Sequence, residues 1–160
     1  MVDKVKKLIL QGEFLEANKY LPTIDYEALR VILFNIGDEE KSICAYTFVV
    51  FLLLQHESVQ YHTLAAEMIM HNFPYIEGSY QTGLFHARRS IELNPEDIDL
   101  EEMLLFFHSL PDKLVGDDEA RTIAGRVLAR KKNSIPAQRV LFGDREILEK
   151  LEKEKNKVNK

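Results

Sequence analysis

The run from Ile43 to Leu54 holds eleven apolar residues in twelve, with Thr47 the single exception. Asp38, Glu39, Glu40 and Lys41 precede it, and Gln55, His56 and Glu57 follow. A membrane span needs about 20 apolar residues, whereas a run of about ten to fourteen is the length of a buried core helix. Phe48, Val49, Val50 and Phe51 have strand-forming side chains. The segment nevertheless continues from Asp38 through His56 without a turn residue, too long for an ordinary strand. A helix is therefore expected, with Asp38 as its N-cap and Glu39 and Glu40 at the positive end of its dipole. A helix that is apolar all round must be covered on several sides. The rest of the chain is expected to wrap it in an all-α fold.

No second run of this kind occurs, and Met1 to Leu10 lacks the long apolar middle of a signal peptide. The 160 residues suit one domain with its own core. The expected division is a helical body over 1–143 and a charged helix or tail over 144–160. Cys44 is the one cysteine. It excludes an intramolecular disulfide framework and fits a reducing, cytoplasmic setting. Inside the apolar run it reads as a small buried hydrophobe, since nothing beside it would lower its pKa.

The net charge of −5 conceals a division. Met1 to Ala129 carries 11 basic and 21 acidic residues, whereas Arg130 to Lys160 carries 10 basic and 5 acidic. Glu92 to Glu119 alone has ten acidic residues against one base, Lys113. Such a surface repels phosphates, so general nucleic-acid binding is not expected. A basic partner, or the chain's own basic C-terminal segment, would complement it.

Helical punctuation recurs along the chain. Val5, Leu8 and Ile9 share one face, Gly12 interrupts, and Phe14, Leu15, Ala17, Tyr20 and Leu21 continue it up to Pro22. Asp25 caps an expected helix over 26–36, which Gly37 ends in a left-handed conformation. Ser58 and Ser79 read as the caps of two further helices, separated by a break containing Pro74 and Gly78. Asp99 and Glu102 have capping-box spacing, with Ile98 and Met103 as a hydrophobic staple. Asp117, Asp118 and Glu119 open a helix that Arg130, Lys131 and Lys132 close, an order that complements the dipole. Pro136 then interrupts the stretch before Gly143, and Asp144 opens a last helix.

The starts at Asp25, Ser58 and Asp99 lie 33 and 41 residues apart, and each opens a pair of helices. Such spacing predicts antiparallel hairpins stacked in a repeat-like superhelix around the central helix. Gly83 to Pro95, with Ala87, Ser90, Ile91 and Leu93 between, resembles the second helix of a tetratricopeptide repeat. In that family small residues let paired helices approach and a proline ends the unit; Gly83, Ser90 and Pro95 suit those positions. Ala87 stands where the family has an aromatic residue, and the preceding helix lacks the family's large-residue and glycine signature. The resemblance implies a TPR/HEAT-like architecture.

No catalytic constellation stands out. Glu67 and His71 are four apart and His62 lies nine before His71, but zinc sites show closely spaced ligand pairs, and no two histidines here are three to five apart. The carboxylates mark no acid–base pair, and neither a nucleophile elbow nor a glycine-rich phosphate loop occurs. No cofactor is expected. Phe73, Tyr75 and Ile76, with Tyr80 beyond, either pack under their loop or meet a partner. Arg88 and Arg89 could contact an acidic group on a partner or, equally, pair with Glu92 on the same helix. The expected function is protein–protein interaction, as scaffold, adaptor or regulator. Phe73, Tyr75, Tyr80, Arg88, Arg89, Asp112, Asp117, Asp118 and Glu119 are the candidate partner-binding residues. A bacterial immunity protein covering a basic toxin, a homodimer, and a helical enzyme or ligand-binding domain are the alternatives.

Overall fold

The computed structural model describes residues 1–144, and every regular element among them is helical, with no strand. The chain forms two compact units, one ending at Leu93 and the other beginning at Asn94. No described helix is long and apolar enough to cross a membrane.

The first unit holds α1 (Val2–Leu10), α2 (Phe14–Asn18), α3 (Tyr26–Glu39), α4 (Cys44–Gln55), α5 (Val59–His71) and α6 (Ser79–Leu93). Gly12, at φ +75°, turns the chain between α1 and α2, a conformation that costs any residue with a Cβ. The expected caps form at Asp25, which accepts from the Ala28 amide at 2.8 Å, and at Ser58, which accepts from the Tyr61 amide at 3.2 Å. The apolar helix α4 packs against α1, α3 and α5. Its Ala45, Phe48, Val49 and Leu52 join Ile9, Leu33, Ile36, Leu64 and Met68 in one core, with Phe14 of α2 edging onto Phe48 at 5.4 Å between ring centroids.

Two features of α4 differ from expectation. Its covering is incomplete: Ile43, Thr47 and Leu54 share a face left to solvent, and Leu54 is 81% exposed. Its start is also later, because α3 runs through Gly37 to Glu39 and Asp38 belongs to α3. Lys41, at φ +51°, takes the left-handed position expected of Gly37. Gly37 serves close packing instead. A Cβ there would lie 2.6 Å from Cγ of Asn72, which follows α5 and donates from Nδ2 to Asp38 at 2.6 Å.

The same device joins α5 to α6. Gly83, Ala87 and Ser90 are buried on one face of α6, and a Cβ on Gly83 would meet Met70 Cγ at 2.7 Å. Ser79 is the first residue of α6, and its hydroxyl donates to the carbonyls of Phe73 and Ile76, pinning the 73–78 loop.

The second unit pairs α7 (Ile98–Ser109) with α8 (Asp117–Arg130) and continues into a helical stretch at 135–144. The expected capping box does not form: Asp97 is the N-cap, accepting from the Asp99 amide at 3.0 Å. Asp99 and Glu102 are drawn instead to Lys131. Nor does Pro136 interrupt anything. It lies in the first turn of the helical stretch, where a missing N–H costs nothing, behind Ser134, whose hydroxyl accepts from the Ala137 amide at 3.2 Å. The charged helix expected over 144–160 lies, beyond Asp144, outside the described residues.

Candidate functional site

The first unit contains a chain of polar side chains that links α4, α5 and α6. Tyr46 of α4 lies 2.9 Å from Nε2 of His86 on α6. The Nδ1 atoms of His86 and His62 face each other at 2.8 Å, and Nε2 of His62 meets Oε1 of Glu57 at 3.1 Å. Arg89 closes the outer end with two bonds to Glu57, at 2.7 and 2.9 Å, and a third to Glu92 at 2.7 Å. His62 and His86 are 4% and 5% exposed, so this is a buried network with one wet end.

One proton arrangement satisfies it while both imidazoles are neutral. The Tyr46 hydroxyl donates to His86 Nε2, His86 Nδ1–H donates to His62 Nδ1, and His62 Nε2–H donates to Glu57, so every donor points the same way. Burial, reinforced by neighbouring His62, lowers the His86 pKa to about 4. Hydrogen bonds from Arg89 and then His62 hold Glu57 down to about 2, and the same carboxylate raises the Arg89 pKa. Burial raises the Tyr46 hydroxyl. All four imidazole nitrogens are engaged, so none meets a substrate or metal without breaking a bond. No three metal-ligating side chains converge among the described residues.

The sequence-predicted site residues are divided between the units. Phe73 is 1% exposed, packed inward with its ring 6.4 Å from that of Tyr75. Tyr75 is 66% exposed and Tyr80 half-buried. Arg88 lies on the outer face of α6 near Phe85, which is 61% exposed. Arg89 pairs with Glu92 as expected, and also with Glu57, which has no counterpart in the sequence reading.

Asp112, Asp117 and Asp118 are exposed and Glu119 half-buried in the second unit. Asp117 takes a 2.7 Å bond from Lys113, which lowers its pKa. Many carboxylates of the acidic run find bases within that unit. Arg126 binds Glu101 at 2.8 Å, Arg130 reaches Glu96 at 3.5 Å, and Lys131 joins Asp99 at 2.6 Å and Glu102. A groove of about 740 Å³ opens beside α7, with Met103, Phe106 and Val140 on its apolar walls and His108, Lys113 and Arg139 among its polar ones.

The histidine pair escaped the sequence reading because its members stand 24 residues apart. A signal existed, though. His86 falls among Gly83, Ala87 and Ser90, on the face of α6 that small residues turn inward.

No protein-family model, curated protein or solved structure matches the chain.

Proposed function

We propose that the protein is a non-catalytic interaction module that receives another polypeptide on large apolar side chains held outward by the first unit. The supporting observation is the combination of exposure with fixed support. Leu54 stands on the open face of α4. Phe85 rides on α6 beside the buried histidines, its ring centroid 5.1 Å from that of His86. Tyr75 projects from a loop whose backbone Ser79 secures. Large apolar and aromatic side chains presented without ordering cost are the usual anchors of a protein interface. The α3–α4 and α5–α6 hairpins, with α3 packed on α5, suit a repeat-like stack of TPR/HEAT type. A cytoplasmic setting is part of the same reading.

Leu54→Asp, Tyr75→Asp and Phe85→Asp variants test it, each first checked for helical content by circular dichroism. At least one is expected to lose a partner that co-purifies stoichiometrically with the parent chain. Retention of that partner by all three would overturn the reading. A parent chain that sediments as a dimer while the variants sediment as monomers would identify the partner as a second copy.

The groove beside α7 favours a second reading, in which the second unit binds a small ligand between apolar walls and a few polar groups. A thermal-shift screen against small organic acids and bases tests that, with a saturable rise in melting temperature as the expected result.

A further inference from the structure

Helix α6 is attached differently from its neighbours. The core of the first unit is built from α1 to α5 and contains no residue of α6. The buried residues of α6 are Ser79, Gly83, His86, Ala87 and Ser90, none with a large apolar side chain. Its small residues bring α6 close over Ile69 and Met70 of α5, which supply the apolar part of the contact. Polar bonds are added to this packing, namely His86 to Tyr46 and His62, and Arg89 to Glu57.

Those bonds have a limited proton capacity. The neutral pair is satisfied, as described. With one added proton, held on His62, it remains so: His62 Nδ1–H donates to His86 Nδ1, while His86 becomes the other tautomer and donates Nε2–H to the Tyr46 oxygen. A second proton places an N–H on both Nδ1 atoms, 2.8 Å apart, where neither has a lone pair to offer. Two adjacent imidazolium charges would then face each other in a buried site.

We propose that the His62–His86 contact is a proton-operated latch, which holds α6 against α4 and α5 with up to one extra proton and releases it when a second binds. Release would uncover Ile69 and Met70, which lie under Gly83 in the closed form. The groups facing the pair are Tyr46 from α4, Glu57 from the segment before α5 and Arg89 from α6; on the α3 side of α5 stands the Arg30–Glu67 ion pair. The lowered His86 pKa supports the direction. A freed His86 takes a proton near its ordinary 6.5, whereas the latched one resists until about 4. Latching is thus strongest above pH 6.5 and is lost as pH falls toward 4. In that window the open state holds one more proton, so opening becomes favoured about tenfold per pH unit.

The test is amide hydrogen exchange on the full chain from pH 7.5 to 4.5, each rate divided by its intrinsic rate at that pH, with nitrogen-15 spectra of the histidine rings alongside. Protection of the α6 amides is expected to fall about 40-fold between pH 6.5 and 4.5, while α3 amides keep theirs. His86→Gln should abolish that pH dependence, and His62→Gln serves if the first variant does not fold. Loss of α3 and α6 protection together would overturn the latch, as would α6 protection that persists after both rings are charged. So would an unchanged pH profile in the glutamine variant.

Discussion

The close approach of α3 to α5 turns on a single missing methyl group. In Gly37→Ala the new Cβ would sit 2.6 Å from Cγ, 2.9 Å from Cβ and 2.9 Å from Nδ2 of Asn72. Asn72 is 3% exposed and tied through Nδ2 to Asp38, so it cannot swing into solvent without breaking that bond. Alanine would favour an unstrained helix by about 1 kcal/mol. Against this stand an overpacking cost of about 1–3 kcal/mol and a hydrogen bond to a charged group worth about 1.5–3 kcal/mol. The net expectation is a destabilisation of about 3 kcal/mol, which at about 2 kcal/mol per molar urea lowers the unfolding midpoint by about 1.5 M. The decisive experiment is a double-mutant cycle with Asn72→Gly. That change removes the obstructing atoms, along with the Asn72 Oδ1, which finds no hydrogen-bond partner among the described residues. In this background Gly37→Ala should become neutral or stabilising, giving a coupling of about 3–4 kcal/mol between the positions. If Gly37→Ala is as stable as the parent, or costs the same with and without the Asn72 side chain, close packing is not what requires glycine at this position.

Other expectations follow from the same packing. Phe48→Ala empties the centre of the first core and should cost about 3–5 kcal/mol in denaturant unfolding. Gly83→Ala crowds Met70, an adaptable side chain, and meets Ile69 at an ordinary 3.5 Å, so it should cost less than Gly37→Ala in the same assay. Gly125 has nothing within 4 Å of a built Cβ, and Gly125→Ala should raise the stability of α8 by about 1 kcal/mol. Lys131→Ala severs α8 from Asp99 and Glu102 together. Its melting temperature should fall at low salt, and the difference from the parent should shrink in concentrated sodium chloride as screening removes the pairing.

The parts of the fold that depend on local chemistry were legible in the sequence. Asp25 and Ser58 announce helix starts because a capping side chain acts on an amide only a few residues away. The apolar run announces α4 because no other element of this length can be so uniformly hydrophobic. Asp99 and Glu102 show where such reasoning fails: their spacing suits a local cap, but Lys131, some 30 residues on, offers each a full opposite charge. Gly37 fails likewise, since a glycine needed for a left-handed turn and one needed for close packing look alike until the partner helix is placed. The candidate site was less legible than the fold. The exposure of Tyr75 and the Arg89–Glu92 pair were within reach of the sequence. The openness of Leu54 was not, because the run in which it sits reads as buried throughout.

The one-way hydrogen bonding from Tyr46 to Glu57 also bears on how this sequence can change over time. Removing any one of Tyr46, His86, His62 or Glu57 leaves its neighbour with an unmatched polar atom, costing about 1–3 kcal/mol where that atom is buried. Replacing Tyr46 by Phe and both histidines by apolar residues of similar volume is instead close to neutral, because Glu57 keeps Arg89. Single steps thus lead downhill in stability while the concerted change does not, so these positions are bound into a mutational valley. Related chains should carry the network whole or lack it whole.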